Sequence, residues 1–358
     1  MPEALKIISI GGATQDVFVR SEGAQIMKLS DRLHEKAWLG FEYGAKVNVE
    51  AIRFTIGGGA TNTSVAMAKL GLHTACLAKI GPDTAGQSVK KELESHGVST
   101  DLLLTGSSET GYSVILTSYE GERTILSFRG ANQEILAEEL DWKALESADW
   151  LYISSLSGPS SEILEPLADL CQKKNIKISW NPGSSQIKAG LEKLKPLLSK
   201  TTLLILNKEE AAALTGIPLE KPQPEHLRPH QAVSSGRPAF MYDLNAHLKA
   251  LKALGPDWVV ITDGRFGVQT WDGKQAYAMP VYPLEVVDVL GAGDAFGAGL
   301  TAGWIYSGRD PISALKLGSA NGAGVCTATG SHFGLQSLES AKVLIEKHPQ
   351  IQPLAFEI

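Results

Sequence analysis

The chain has 358 residues, 43% hydrophobic and 20% charged, with a formal net charge of −6. This is the composition of a globular protein long enough for one large α/β domain with appendages. The acidic balance argues against nucleic acid or an anionic membrane as the main partner. Cys76, Cys171 and Cys326 lie far apart among apolar neighbours with no CxxC pair. Free buried thiols, the lack of a bilayer-length apolar run and the lack of a signal-like segment before Lys6 lead to the expectation of a cytoplasmic protein.

The first apolar run, Lys6 to Ile10, ends at Gly11-Gly12 and reads as a buried parallel strand. Asp16 follows at the strand end, where α/β folds place ligand residues; a turn-capping Asp is the other reading. Residues 17–55 hold short mixed runs separated by glycines and read as strands and loops projecting from the core. Gly57-Gly58-Gly59 then allow a close backbone approach before a small-residue helix that stops at Gly71. Asn62, in the first turn of that helix, can donate to and accept from a polyol, or simply cap. A strand at Leu77 to Ile80 and a helix from about Ala85 to His96 come next. A hairpin follows, Gly111 to Ser118 and Arg123 to Phe128, with its turn at Glu120-Gly121-Glu122 and its end at Arg129.

From there the chain alternates regularly. Strands are expected at Trp150 to Ser154, Lys177 to Trp180, Leu203 to Leu206 and Trp258 to Thr262, with helices between them, such as Ser161 to Lys174 and Asn207 to Thr215. This is the pattern of a mostly parallel sheet with helices on both faces. Asn207 and Glu210 have capping-box spacing, so capping is one reading of both. The proline-rich stretch 217–238 reads as an insertion; Pro229 between His226 and His230 argues against a zinc site there. Thr262-Asp263-Gly264-Arg265-Phe266-Gly267 is a glycine turn at a strand end, either a ligand loop or a plain β-turn.

The last segment is the most informative. Val286 to Leu290 reads as a short strand, broken at Gly291-Ala292-Gly293, and a small-residue helix continues to about Ser307. The first N–H groups of that helix lack intrahelical partners, and the dipole adds partial positive charge, so the turn suits an anion. Asp294 at the same turn would repel a resting phosphate. It makes sense as a base for a hydroxyl that attacks a phosphoryl group in transfer. A glycine turn with a capping Asp is the bland alternative. A dinucleotide fingerprint is excluded because Phe296 occupies its third glycine position.

Together these motifs resemble the ribokinase-like (PfkB) family of carbohydrate and nucleoside kinases, in the family's order from Ile7 to about Gly334. Val287 to Phe296 resembles its C-terminal signature, Gly57 to Asn62 its N-terminal di-glycine signature, Asn207 to Glu210 its N-x-x-E motif, and Thr262 to Gly267 its T-x-G-x-x-G turn. The resemblance implies a three-layer αβα core in a single domain, residues 1–358, with a β-rich lid formed by about 17–55 and 111–130. It implies a sugar kinase using ATP and Mg²⁺ that phosphorylates a hydroxyl, by expectation a hydroxymethyl; a nucleoside kinase is the alternative, with Trp38, Phe41 and Tyr43 as candidate walls for a base. A non-catalytic sugar- or nucleotide-binding protein on the same scaffold is the remaining one. Asp294 is implied as base and Gly291, Ala292 and Gly293 as anion hole. Asp16, Gly58, Gly59 and Asn62 are implied as acceptor contacts. Asn207, Thr262, Gly264 and Gly267 are implied on the nucleotide, and Glu210 as an indirect Mg²⁺ residue. Asp288, with the loop near Thr329 and Gly330, is implied as a K⁺ site, although Val289-Leu290 departs from the family's usual residues there. Ser155 or a neighbour stands where ribokinase itself carries a substrate-binding Glu, so ribose is not implied. Arg129, at the lid–core junction, is a candidate contact to an acceptor hydroxyl or phosphate. A homodimer through the lid, and no nucleic-acid or membrane partner, complete the expectation.

Overall fold

Short β-branched and leucine-rich runs that stop at glycine or a polar residue become strands here, and the small-residue runs become closely packed helices. The computed structural model describes residues 5–20, 23, 25–30, 35–117, 123–219 and 243–358. The first part of the chain forms β1 (Lys6–Ile10), β2 (Thr14–Arg20), β3 (Gln25–Ser30), β4 (Glu35–Gly40), β5 (Ala51–Gly57), α1 (Gly59–Lys69), β6 (His73–Leu77), β7 (Lys79–Ile80), α2 (Thr84–Ser95), β8 (Leu104–Thr105), β9 (Gly111–Thr117) and β10 (Arg123–Phe128). Then come α3 (Trp142–Glu146), β11 (Trp150–Ile153), α4 (Leu164–Lys174), β12 (Lys177–Trp180), α5 (Ser184–Lys188), α6 (Leu191–Leu198), β13 (Leu203–Asn207) and α7 (Lys208–Thr215). The last part forms α8 (Asn245–Lys252), β14 (Trp258–Thr262), β15 (Val268–Trp271), β16 (Ala276–Met279), α9 (Ala292–Tyr306), α10 (Pro311–Val325), α11 (Leu338–Lys347) and β17 (Leu354–Phe356).

Among the described residues the central sheet has nine strands, in the order β17-β16-β15-β14-β13-β12-β11-β1-β6. Neighbours from β6 to β14 are parallel; β15, β16 and β17 extend the edge antiparallel. Side chains alternate between its faces. Ile7, Ile205 and Val260 join one core with α1, α9 and α10. Ile8, Leu204 and Ile261 join the other with α4, α6 and α8. The sheet is therefore mostly parallel and covered on both faces, as its apolar runs predict. Helices α9 and α10 pack closely because α9 carries glycines: a Cβ on Gly303 would lie 2.7 Å from the Ala314 Cα.

A second sheet, β10-β9-β2-β5, stands over one end of the first. Its strand β2 begins three residues after β1 ends. The link is pinned at Ala13, whose N–H donates to Asn132 Oδ1 (2.8 Å) and whose carbonyl accepts from Asn132 Nδ2 (2.9 Å). Register places Phe54, Val17, Val114 and Leu126 on one face, and Thr55, Asp16, Ser113 and Ser127 on the other.

Val286 to Leu290 is not a strand; the segment is an irregular loop in which the N–H groups of Val287 and Asp288 donate to the Cys326 carbonyl (2.8 and 3.2 Å), not to a neighbouring strand. Most of the 217–238 insertion, with His226 and His230, and the 120–122 turn lie outside the described residues. Among the described residues no helix is long and apolar enough to cross a membrane.

Candidate active site

The site is built at the start of α9. Gly291 caps the helix with φ +76°, a left-handed conformation that favours glycine, and a Cβ there would lie 2.6 Å from the Ser331 Cβ. The Ala295 N–H makes the first helical bond, to the Gly291 carbonyl (2.8 Å). The Ala292 N–H is turned back to the Val289 carbonyl (3.3 Å). The N–H groups of Gly293 and Asp294 thus begin outside the helical ladder, and the space beside the Gly293 Cα is open. Asp294 is half-buried at this helix start. Burial raises its pKa from 3.8 to about 6, opposed by a hydrogen bond from Asn62 and reinforced by the charge of Asp16.

Strand β5 delivers the opposing wall. A Cβ on Gly57 would collide with the Asp16 carboxylate, one on Gly58 (φ +97°) with the Gly12 carbonyl, and one on Gly59 with Ser154 Oγ. The three glycines therefore let the β1–β2 link, Asp16 and Ser154 close around the start of α1. In its first turn, Asn62 Nδ2 donates to Asp294 Oδ2 (2.8 Å), and Asn62 Oδ1 lies 3.0 Å from His332 Nε2. Asp16 is buried on β2 with its pKa raised by burial, while Thr14 (Oγ1 to Oδ1, 2.8 Å) and Ser113 donate to it and oppose the rise.

The other flank is formed by β13 and β14, whose register pairs Asn207 with Thr262 at their C-terminal ends. Asn207 caps α7: its Oδ1 accepts from the Glu210 N–H (2.8 Å) and its own N–H donates to Glu210 Oε2 (2.9 Å). Lys208 bridges to Asp263 in the glycine turn, tying the two motifs together. That turn holds Gly264 at φ +51° and Gly267 at φ +94°. Burial raises the Glu210 pKa, and the charge of Asp294 adds to the rise. The charge of Asp16 thus bears on Asp294, and that of Asp294 on Glu210.

An anion-accepting helix start beside a raised carboxylate, with a glycine turn and a capped helix on one flank and a polar strand on the other, suits group transfer from a polyanion to a hydroxyl. A family model, "pfkB family carbohydrate kinase", matches residues 27–338. The chain belongs to the pfkB family of carbohydrate kinases. It is a phosphotransferase. The chain is 25% identical over 320 residues to the ATP-dependent ribose-1-phosphate kinase of Halopiger xanaduensis, covering 89% of this chain and 91% of that one. It is 27% identical over 297 residues to the ribokinase of Bacillus subtilis, covering 81% and 87%. The fold matches the structure of Arabidopsis thaliana ribokinase complexed with ribose and ATP at a TM-score of 0.74 and 20% identity, over 96% and 99% of the two chains.

The fold of this pfkB kinase thus brings Asp16, Gly58, Gly59, Asn62 and Gly291 to Asp294 together, and sets Asn207, Glu210 and the Thr262–Gly267 turn side by side at the ends of β13 and β14. Arg129 stands apart, exposed at the head of the 3₁₀ turn Gly130–Gln133 and without an ion pair among the described residues. Asp288 accepts from the Leu290 N–H (Oδ1, 3.0 Å) and the Gly330 N–H (Oδ2, 3.1 Å), and faces Arg123 of β10 (3.4 Å). His332, Arg123, Ser113 and Ser154 escaped the sequence reading. Each acts on a residue more than 90 positions away or on a strand brought alongside by the second sheet, so no local spacing announces it. Among the described residues no cluster of three or more His, Cys, Asp or Glu side chains forms a metal site.

Proposed function

We propose that this kinase moves the γ-phosphoryl group of ATP to a hydroxyl, in the first instance a hydroxymethyl, of a small sugar or sugar derivative, with Asp294 as the base. The observation that carries the reading is a half-buried carboxylate, held by Asn62, at the start of α9 where N–H groups lie outside the helical ladder. Asp294 takes the acceptor hydroxyl proton, the freed oxygen bonds to the γ-phosphorus, and the bond to the ADP oxygen breaks. The N–H groups at the α9 start hold the charge on the transferring group. Asp16 and Asn62 hold the acceptor beside Asp294. Asn207 and the Thr262–Gly267 turn hold the nucleotide; that the nucleotide is ATP is supported by the plant ribokinase of the same fold, complexed with ribose and ATP.

Mg²⁺ fits a site of this kind. Glu210 and Asp294 supply negative potential without a protein cage, which suits an ion that keeps most of its water and phosphate ligands, and its chemistry there is to neutralise phosphate charge. K⁺ at Asp288 competes with the Arg123 guanidinium, which already supplies positive charge 3.4 Å from Oδ1. No step is assigned to K⁺.

The second sheet serves as the lid. Its Asp16 face looks toward the site, with Arg123 on Asp288 and Arg53 over the Phe333 ring. Its other face leaves Phe54, Leu126 and Ile52 more than half exposed, and this is the surface for a second copy. Tyr43 is fully exposed and so offers no enclosed wall for a nucleobase. The test is ADP release from Mg²⁺–ATP across ketoses, aldoses, sugar acids, sugar phosphates, polyols and nucleosides, with Asp294→Asn alongside. Sugar-dependent turnover that collapses in the variant is expected. Turnover with nucleosides alone would reassign the acceptor, and full turnover in Asp294→Asn would remove that residue from the chemistry.

A further inference from the structure

The loop after α10 reaches back under both signature motifs. Gly330 donates to Asp288, Ser331 Oγ donates to the Ile56 carbonyl (3.3 Å) and fills the space beside Gly291, and His332 meets Asn62. His332 is buried, its carbonyl accepts from Lys69 Nζ (2.9 Å), and its ring stands edge-on to His96 at 5.9 Å.

The hydrogen bonds dictate a direction. An ionised carboxylate only accepts, so Asn62 must turn Nδ2 toward Asp294. Oδ1 then faces His332 Nε2 at 3.0 Å, and that nitrogen must carry the proton. If the proton sat on Nδ1, Nε2 would become an acceptor, the amide would be free to flip, and Oδ1 would face the carboxylate of Asp294. A hydroxyl in the same place could donate or accept and would not fix the amide. A neutral imidazole has one proton to give.

We propose that His332 is a positioning residue for phosphoryl transfer: its Nε2–H locks the Asn62 amide so that Nδ2 faces Asp294. This rests on the reading of Asp294 as the base. The ring can hold the role across the working pH range because burial, with the charges of His96 and Lys69, pushes its pKa down to about 3. The charge of Asp16 acts on Asp294, and the charge of Asp294 acts in turn on Glu210 and Tyr152.

The test compares the acid limb of kcat/KM in the parent, His332→Leu, His332→Gln and Asp294→Asn. Parent protein labelled with ¹⁵N-histidine reports the His332 tautomer, assigned by difference from His332→Gln. Loss of a charge-assisted donor raises the acid limb of His332→Leu by about one pH unit and so lowers kcat/KM about twofold at pH 7 and about tenfold at pH 5, with the ATP KM unchanged. His332→Gln, which keeps a donor, stays within about threefold of the parent at pH 5, and the spectrum shows a neutral ring protonated on Nε2. An acid limb in His332→Leu that coincides with the parent's, or a proton on Nδ1, overturns the proposal while an inactive Asp294→Asn leaves the base in place. Full activity in Asp294→Asn removes the base and the relay with it. The tautomer is read on the parent protein, so it decides the matter even if the leucine variant does not fold.

Discussion

Asp294→Asn separates stability from activity in a way that depends on pH. In the folded chain burial raises the Asp294 pKa from 3.8 to about 6. Between those values the native state binds the proton and the unfolded chain does not, so the contribution of this group to stability falls as pH rises through that window. At about 1.4 kcal/mol per pH unit, the ionised carboxylate costs the native state up to about 3 kcal/mol above pH 6. Asparagine keeps an oxygen for the Asn62 donor and carries no charge, so the variant escapes that cost. Urea unfolding at pH 8 should find Asp294→Asn more stable by up to about 3 kcal/mol, with the difference gone near pH 4. Turnover should fall by about 10²- to 10⁴-fold, the range for losing a general base. The parent's kcat/KM should lose about tenfold between pH 7 and pH 5. A variant no more stable than the parent at pH 8, or a difference that persists at pH 4, would show that the carboxylate is not held in a strained ionised state.

Gly291→Ala forces a side chain into a left-handed backbone at φ +76° and against Ser331, and should lower stability by about 1–3 kcal/mol in thermal unfolding, with turnover lost as the α9 start shifts. Replacing K⁺ by tetramethylammonium at constant ionic strength should change parent turnover by less than about twofold, while Arg123→Met lowers it by about three- to tenfold, since the guanidinium supplies the charge at Asp288; a tenfold dependence on K⁺ in the parent would contradict the assignment. Phe54→Glu with Leu126→Glu should leave the chain monomeric in light scattering and remove any concentration dependence of the unfolding midpoint, while the fold persists because both side chains are already exposed in the single chain.

The sequence discloses what local chemistry encodes. Strands β1, β11, β12, β13 and β14 are visible as apolar runs, and the helix starts at Asn62, Asn207 and Asp294 as cap or glycine signals. Val286 to Leu290 misleads because β-branched residues in a row also suit an exposed loop whose N–H groups bond to a helix end. The edge strands β16 and β17 pair across a long separation, and no turn signal joins them. Gly57 was readable as a glycine but not its reason, the Asp16 carboxylate lying where its Cβ would go. His332 and Arg123 are invisible for a stronger cause: each matters only through a partner that folding brings from 270 and 165 residues away.

The pin at Ala13 gives the second sheet a lever. Along an extended strand each residue adds about 3.3 Å, so Asp16 lies roughly 10 Å from the pin and Arg20 roughly 23 Å. A tilt about Asn132 sweeps the rim of the sheet more than twice as far as it moves Asp16. The mouth of the cleft can therefore open wide while Asp16 moves less than half as far. A change at Asn132 would loosen the bearing and blur both movements together.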